Sequence, residues 1–291
     1  MKTLKVLVIT TIMVMTFTML GLSQEAFASP LAATSPSLGA AGAYSVLAAQ
    51  SASSANMTTI AGNLGLSPGL EASITGDWNV GGAIYFGATG PAADAQGAAL
   101  GAYNNLAGQG SSGLWSGATA PLPGVWSGAS SETFNGTLTL NGTYSDVWVF
   151  QISESLTFNG NVVMGGDAQA CHVFWQVGED ATIASGSHFI GTLIAENNVT
   201  LVSGATVSGR IMSLVGSVTV DANTISMPPC ASAPVAETTA VPTVSGLPTS
   251  GGAPLRSEVF PLGLAILFGG LSIVVSVLIV RAMRRNYQQK Q

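Results

Sequence analysis

Residues 181–198 read ATIASGSHFIGTLIAENN, residues 199–217 read VTLVSGATVSGRIMSLVGS, and the chain then restarts with VTV. Each block opens on an apolar residue, a threonine and a second apolar residue. The openings are Ala181-Thr182-Ile183, Val199-Thr200-Leu201 and Val218-Thr219-Val220. Toward the N-terminus the same triplet occurs as Leu156-Thr157-Phe158 and Leu138-Thr139-Leu140. The five starts are separated by 18, 25, 18 and 19 residues, and the long interval reads as a short insertion around Gly165 to Cys171. In a strand successive side chains point to opposite faces, so the apolar pair of each triplet faces inward and the threonine outward. A fixed period of this length marks a repeat architecture.

Each unit carries a second short strand. Its expected inward residues are Tyr144, Val162, Phe189, Val207 and Ile225, with Thr143, Asn161, His188, Thr206 and Thr224 just outside them. Gly142, Gly160, Gly186 and Gly204 mark the corners before these strands. A third strand reads Val147-Trp148-Val149-Phe150, Val173-Phe174-Trp175, Thr192-Leu193-Ile194 and Arg210-Ile211-Met212. Strands apolar on both sides are covered on both, so something must lie against that third face. Residues 91–108 are the expected cover. Pro91 suits a first helical position, Ala95, Ala99, Ala102 and Leu106 form one stripe at helical spacing, and Gly108 suits a helix stop. Coils of 18 to 19 residues with three short strands predict a mainly β fold, a triangular β-solenoid with one long helix alongside. Tyr44 to Phe86 also reads as short β segments with turns, but lacks the period; it either caps the stack or rejoins it elsewhere.

The ends of the chain are of another kind. Lys2 and Lys5 precede an apolar run to Leu22, and Ala26-Phe27-Ala28 offers the small residues a signal peptidase reads; residues 1–28 are expected to be a signal peptide. Residues 231–259 are rich in Pro, Ala, Thr and Ser and read as a stalk. Phe260 to Val280 has no charge and is long enough to cross a bilayer as a helix. Arg281, Arg284, Arg285 and Lys290 in the tail, 281–291, belong on the cytoplasmic side. Leu247-Pro248-Thr249-Ser250-Gly251 resembles the sortase sorting signal L-P-x-T-G, with Ser250 at the threonine position. A sortase that accepts Ser250 would join the body to the cell wall; otherwise the apolar segment holds it in the membrane. Either outcome places the body, 38–230, outside the cell.

Charge and chemistry exclude several classes. The chain has eight Lys plus Arg, and between Ser29 and Leu255 the only one is Arg210, against twelve acids. Nucleic-acid binding needs a basic footprint, and acidic polysaccharides need basic partners; this body offers neither. Gly65-Leu66-Ser67-Pro68-Gly69 fits the spacing of a nucleophile elbow, but that motif needs a strand before and a helix after. Pro68 argues for a turn. The only histidines are His172 and His188, and adjacent Cys171 and His172 would point apart on a strand. No catalytic group, metal ligand set or cofactor is expected. Cys171 and Cys230, in an exported chain, are candidates for one disulfide, with two free thiols as the alternative.

A set of motifs resembles a known family. These are Gly62-Asn63-Leu64-Gly65-Leu66-Ser67-Pro68-Gly69, the helix end Ala102-Tyr103-Asn104-Asn105-Leu106-Ala107-Gly108, Leu122-Pro123-Gly124-Val125-Trp126, Gly136-Thr137-Leu138-Thr139-Leu140, and Cys171-His172-Val173-Phe174-Trp175-Gln176-Val177-Gly178 followed by Ala181-Thr182-Ile183 and Gly209-Arg210. In this order, over Leu38 to Cys230, they resemble the microbial ice-binding (antifreeze) proteins built as a discontinuous β-solenoid with a flanking helix. Trp126 stands where the family usually has Tyr. The resemblance implies that the N-terminal segment supplies coils out of sequence order. It also implies a non-catalytic protein whose partner is ice or ordered water.

Ice is an uncharged, repeating, hydrogen-bonding lattice. A flat array of stiff side chains carrying one methyl and one hydroxyl suits it, and Thr is that residue. The first candidate face is Thr139, Thr157, Thr182, Thr200 and Thr219. The second is Thr143, Asn161, His188, Thr206 and Thr224. A structural Thr ladder is the plain alternative, because Thr is a good strand former. A surface adhesin binding carbohydrate or protein is the other functional reading, kept open by Trp78, Trp115 and Trp126 in loop-like stretches.

Overall fold

The computed structural model describes residues 32–227 and Cys230. In chain order the strands are β1 (Tyr44–Ala48), β2 (Ala52–Ile60), β3 (Asn63–Leu66), β4 (Ile74–Val80) and β5 (Ile84–Phe86). The helix α1 (Pro91–Ala107) follows, then β6 (Gly113–Leu114), β7 (Gly124–Gly128), β8 (Glu132–Gly142), β9 (Trp148–Ile152), β10 (Leu156–Gly166) and β11 (Val173–Val177). The remainder is β12 (Ala181–Ile183), β13 (His188–Ala195), β14 (Val199–Leu201), β15 (Thr206–Ser213), β16 (Val218–Val220) and β17 (Thr224–Ser226). Every pairing among them is parallel, as a coil stacked on a coil requires.

Three faces result. The first runs β8–β10–β12–β14–β16–β2–β4. The second uses the later halves of β8 and β10, then β13, β15, β17, and the later halves of β2 and β4. The third runs β6–β7–β9–β11–β13–β15–β1–β3–β5. Strands β13 and β15 therefore bend from the second face onto the third, at Gly191 and Gly209, which pair with each other. A Cβ on Gly191 would meet the Val173 carbonyl at 2.5 Å, and its φ of +114° is one L-residues rarely adopt.

The N-terminal segment rejoins the stack. Val46 pairs with Ile211 and Ala52 with Val218, so the first-made coils extend the last-made ones. From β5 the chain returns along the third face as α1 and starts a new coil at the opposite end. The out-of-order arrangement implied by the resemblance is what the register displays.

Packing follows the alternation. Inside the coils an aromatic column runs through Trp115, Phe134, Phe150, Phe158, Trp175 and Phe189, with Phe150 and Trp175 stacked at 4.1 Å and Phe134 and Phe158 at 5.1 Å. On the third face Leu47, Val149, Phe174, Ile194 and Met212 pack against Ala95, Ala99, Ala102 and Leu106 of α1, the stripe read from the sequence. The alanines make this approach; Gly97 and Gly101 lie on the exposed side. Ala222, Gly186 and Gly204 occupy equivalent corners, one in each of three successive coils. Beside them Asn223 is buried, its amide donating to the Val202 and Ala205 carbonyls, each at 3.0 Å, and its Oδ1 accepting from the Asp221 N–H at 2.6 Å.

Two expectations need correction. The Leu138-Thr139-Leu140 triplet does not stack on Leu156-Thr157-Phe158; the partner of Leu156 is Glu132, and Leu138 lies opposite Val162. Likewise Tyr144 is in a turn, and Leu138 is the buried residue next to Val162. The reason is that β8 and β10 each run unbroken through the corner, so a coil here takes 24 residues rather than 18, by the spacing from Glu132 to its partner Leu156. The expected signal peptide, stalk, sorting-like motif, apolar span and basic tail lie outside the described residues. Among the described residues no helix is long and apolar enough to cross a membrane.

Candidate functional site

The first face presents one outward residue per coil, between two inward ones. The pairings join Thr133, Thr157, Thr182, Thr200, Thr219, Ser53 and Thr75 into a ladder of seven rungs in direct register. All seven are exposed or half-buried, whereas the flanking Phe134, Phe158, Ile183, Leu201 and Val220 are buried. Parallel strands hold the rungs about 4.7–4.9 Å apart. No rung is charged. Ser53 and Thr219 hydroxyls are 3.3 Å apart. Two of the flanking acids are occupied: Asp221 accepts from the Asn56 amide at 2.6 Å, and Asp180 from the backbone and side chain of Asn198 at 2.9 and 3.0 Å.

Of the expected first-face residues, Thr157, Thr182, Thr200 and Thr219 stand in this ladder. Thr139 does not; it lies opposite Val163 on the second face. Its place is taken by Thr133. Sequence reasoning missed Thr133 because Glu132, not an apolar residue, precedes it. A usable signal was present: Thr-Phe-Asn-Gly occurs at 133–136 and again at 157–160. Ser53 and Thr75 were missed because Tyr44 to Phe86 has no visible period.

The second face carries Thr137, Asn161, His188, Thr206, Thr224, Thr59 and Asn79. Thr143 is absent from it, being past the end of β8 and outside the ladder; Thr137 stands where it was expected. His188 breaks the run and engages its neighbour, Nδ1 lying 2.9 Å from the Thr206 hydroxyl. Beside this ladder Ile190 is buried, because the 3-10 turn Ala170–His172 packs against β13 and β15.

That turn carries Cys171, which is disulfide-bonded to Cys230 with the Cα atoms 5.6 Å apart. Arg210 is largely buried; its Nε donates to the Gly42 carbonyl at 2.9 Å, and desolvation lowers its pKa. Ser67 is buried and leads into the 3-10 turn Glu71–Ser73, so the strand–elbow–helix arrangement is not formed. Trp115 belongs to the core rather than to a surface loop. Trp78 and Trp126 are half-buried, their indole N–H groups donating to the carbonyls of Thr75 and Leu122 at 2.9 and 2.8 Å.

A stack of parallel coils and an uncharged Thr ladder are shared by solenoids of more than one kind, so the comparison with known proteins decides the family. The family model described as Ice-binding-like matches residues 46–226. The chain belongs to this family. The ice-binding protein of Nostoc sp. strain HG1 is 35% identical over 205 residues, covering 67% of this chain and 75% of the relative. That of Colwellia sp. is 30% identical over 214 residues, covering 66% of this chain and 83% of the relative. Among solved structures, the ice-binding protein of the Antarctic ascomycete Antarctomyces psychrotrophicus superposes with a TM-score of 0.63 at 28% identity, covering 67% of this chain and 100% of that one. An Arctic yeast ice-binding protein, described for its antifreeze activity, gives 0.63 at 30% identity, covering 69% and 96%. The span matched by the Ice-binding-like family contains all seven rungs of the first-face ladder and all seven of the second.

Proposed function

We propose that this protein binds ice through its first face, by the ladder Thr133, Thr157, Thr182, Thr200, Thr219, Ser53 and Thr75. Membership of the ice-binding-like family supports the partner. The observation that carries the choice of face is the ladder itself: six threonines and one serine in direct register, with no charge among them. The second face has four threonines in seven rungs, a histidine among them, and a covered neighbour at Ile190. Each threonine offers a methyl and a hydroxyl on a stiff β-branched stem. Repeated along the stack, the methyls exclude disordered water while the hydroxyls hold it in register, so an ice-like layer forms on the face and merges with the crystal. The affinity comes from many weak contacts made at once, which requires rigidity rather than a reactive group. The outcome is inhibition of ice growth or recrystallisation, or adhesion of cells to ice.

The second part of the proposal is display. Residues 1–28 direct export, 231–259 form a stalk, and 260–280 span the membrane ahead of the basic tail 281–291. Sortase recognition at Leu247-Pro248-Thr249-Ser250-Gly251 is an alternative anchorage, and the mass of the mature surface protein distinguishes the two. Chain ending at Ser250 and linked to the wall means sortase; intact tail means membrane.

The test of the ice face uses the purified body, residues 29–230. Thermal hysteresis and recrystallisation inhibition are measured for the parent and for Thr182→Tyr/Thr200→Tyr, with circular dichroism to confirm that both are folded. Loss in the variant is expected, because two phenol rings lift the ice plane off the remaining rungs. Full activity in the folded variant moves the site to Thr206 and Thr224; no activity in the parent ends the ice reading of this domain and favours the adhesin.

A further inference from the structure

Cys171 and His172 are sequence neighbours, and on a strand their side chains would diverge. They lie instead in the 3-10 turn Ala170–His172, where they converge. The sulfurs of Cys171 and Cys230 and a ring nitrogen of His172 all lie within 4.8 Å of one another. A second observation is independent of this clustering: Nδ1 of His172 is buried and has no hydrogen-bond partner. The ring is fixed by an edge contact with Tyr144, centroids 6.2 Å apart. A buried ring nitrogen without a partner is a cost unless something ligates it.

We propose that this cluster is a metal site in the reduced protein: Cys171 and Cys230 as thiolates and His172 as a neutral imidazole bind one zinc-class cation, with water in the fourth position. The donor set is the N/S combination zinc prefers, with sulfur near 2.3 Å and nitrogen near 2.0–2.1 Å, about what this cluster reaches with small side-chain shifts. The site and the disulfide exclude each other. A dithiol reductant gives two electrons and two protons to the Cys171–Cys230 bond, yielding two thiols and leaving as its own disulfide. The cation then displaces both thiol protons to form the bis-thiolate complex. In reverse, a disulfide-donating oxidant takes two electrons from the thiolates, re-forms the bond and releases the cation. In either state the segment that follows β17 stays tied to the turn before β11. The chain that has left the ribosome but not yet been oxidised therefore has its own closure.

The test uses the full-length chain in detergent. It contains two cysteines and two histidines in all, so a thiolate signal arises at this cluster alone. The reduced, anaerobic protein is titrated with Co²⁺, read by its sulfur-to-metal charge-transfer and tetrahedral d–d bands, and then with Zn²⁺ against a chromophoric chelator. One cation per reduced chain and none per oxidised chain is expected. Losing even an outer-shell partner costs roughly 10–100-fold in metal affinity, so His172→Ala should weaken Zn²⁺ by about a hundredfold, and Cys171→Ser/Cys230→Ser should abolish the charge-transfer band. His188→Ala is the control and leaves both unchanged. Equal affinity for parent and His172→Ala, whether the reduced chain is folded or not, overturns the proposal, as does a reduced parent that binds no tighter than the double serine variant.

Discussion

Ala222 stands at φ +51° in the corner between the first and second faces, where the two preceding coils place Gly186 at +67° and Gly204 at +74°. An L-residue in this region pays about 1–2 kcal/mol. Glycine would remove that cost and add about 0.4–1 kcal/mol of chain entropy in the unfolded state. Ala222 is exposed, so no packing is lost with its methyl. The balance favours Ala222→Gly by roughly 1 kcal/mol, which for a domain of this size is a rise of about 2–4 °C in Tm. The reciprocal substitution isolates the backbone term, because a Cβ at Gly186 or Gly204 meets nothing within 4 Å; Gly204→Ala should lower Tm by a similar amount. Thermal melts of the disulfide-intact body, followed by circular dichroism, read both. If Ala222→Gly melts at or below the parent while Gly204→Ala is neutral, corner geometry does not set stability here and the reasoning is refuted.

Register gives a second prediction: Thr133→Tyr should reduce thermal hysteresis as a ladder rung, and Thr139→Tyr, on the second face, should leave it near the parent value. Asn223→Ala removes three hydrogen bonds at a buried corner, each worth about 1 kcal/mol net, so urea denaturation should show a loss of roughly 3 kcal/mol with an unchanged m-value. Gly97→Ala and Gly101→Ala, on the exposed side of α1 with open space around each Cβ, should each stabilise by about 0.8–1 kcal/mol, read as a higher urea midpoint.

Residues 156–226 were legible because alternation and spacing agree there: each apolar–Thr–apolar triplet repeats at the coil length, and the coils stack in that register. The helix was legible from a stripe of alanines and the demand of a doubly apolar third strand for a cover. Thr139 misled because local pattern is blind to which face a triplet occupies. Leu138-Thr139-Leu140 has the alternation of the first face but lies beyond a corner that β8 crosses without a break. Ser53 and Thr75 were illegible for a different reason. The strands they sit on are irregular, with a register shift between Ser54 and Thr58, and their partners are remote in sequence. The convergence of Cys171 and His172 depends on one 3-10 turn, which strand logic excludes.

The out-of-order stack also dictates when this domain can fold. Ser51 and Ser217 share a hydrogen bond 166 residues apart, and β1 and β2 wait for β15, β16 and β17. Contacts so distant in sequence slow folding, since loop closure comes before any reward. A chain synthesised N-terminus first presents β1 to β5 while their partners in β15, β16 and β17 are still unmade. Until the last coil arrives, those strands keep an open edge of the kind that invites pairing with other chains. The solenoid is thus completed from its latest-made part toward its earliest. Any pause in synthesis before Ser226 leaves the coils of β1 to β5 without the strands they stack on.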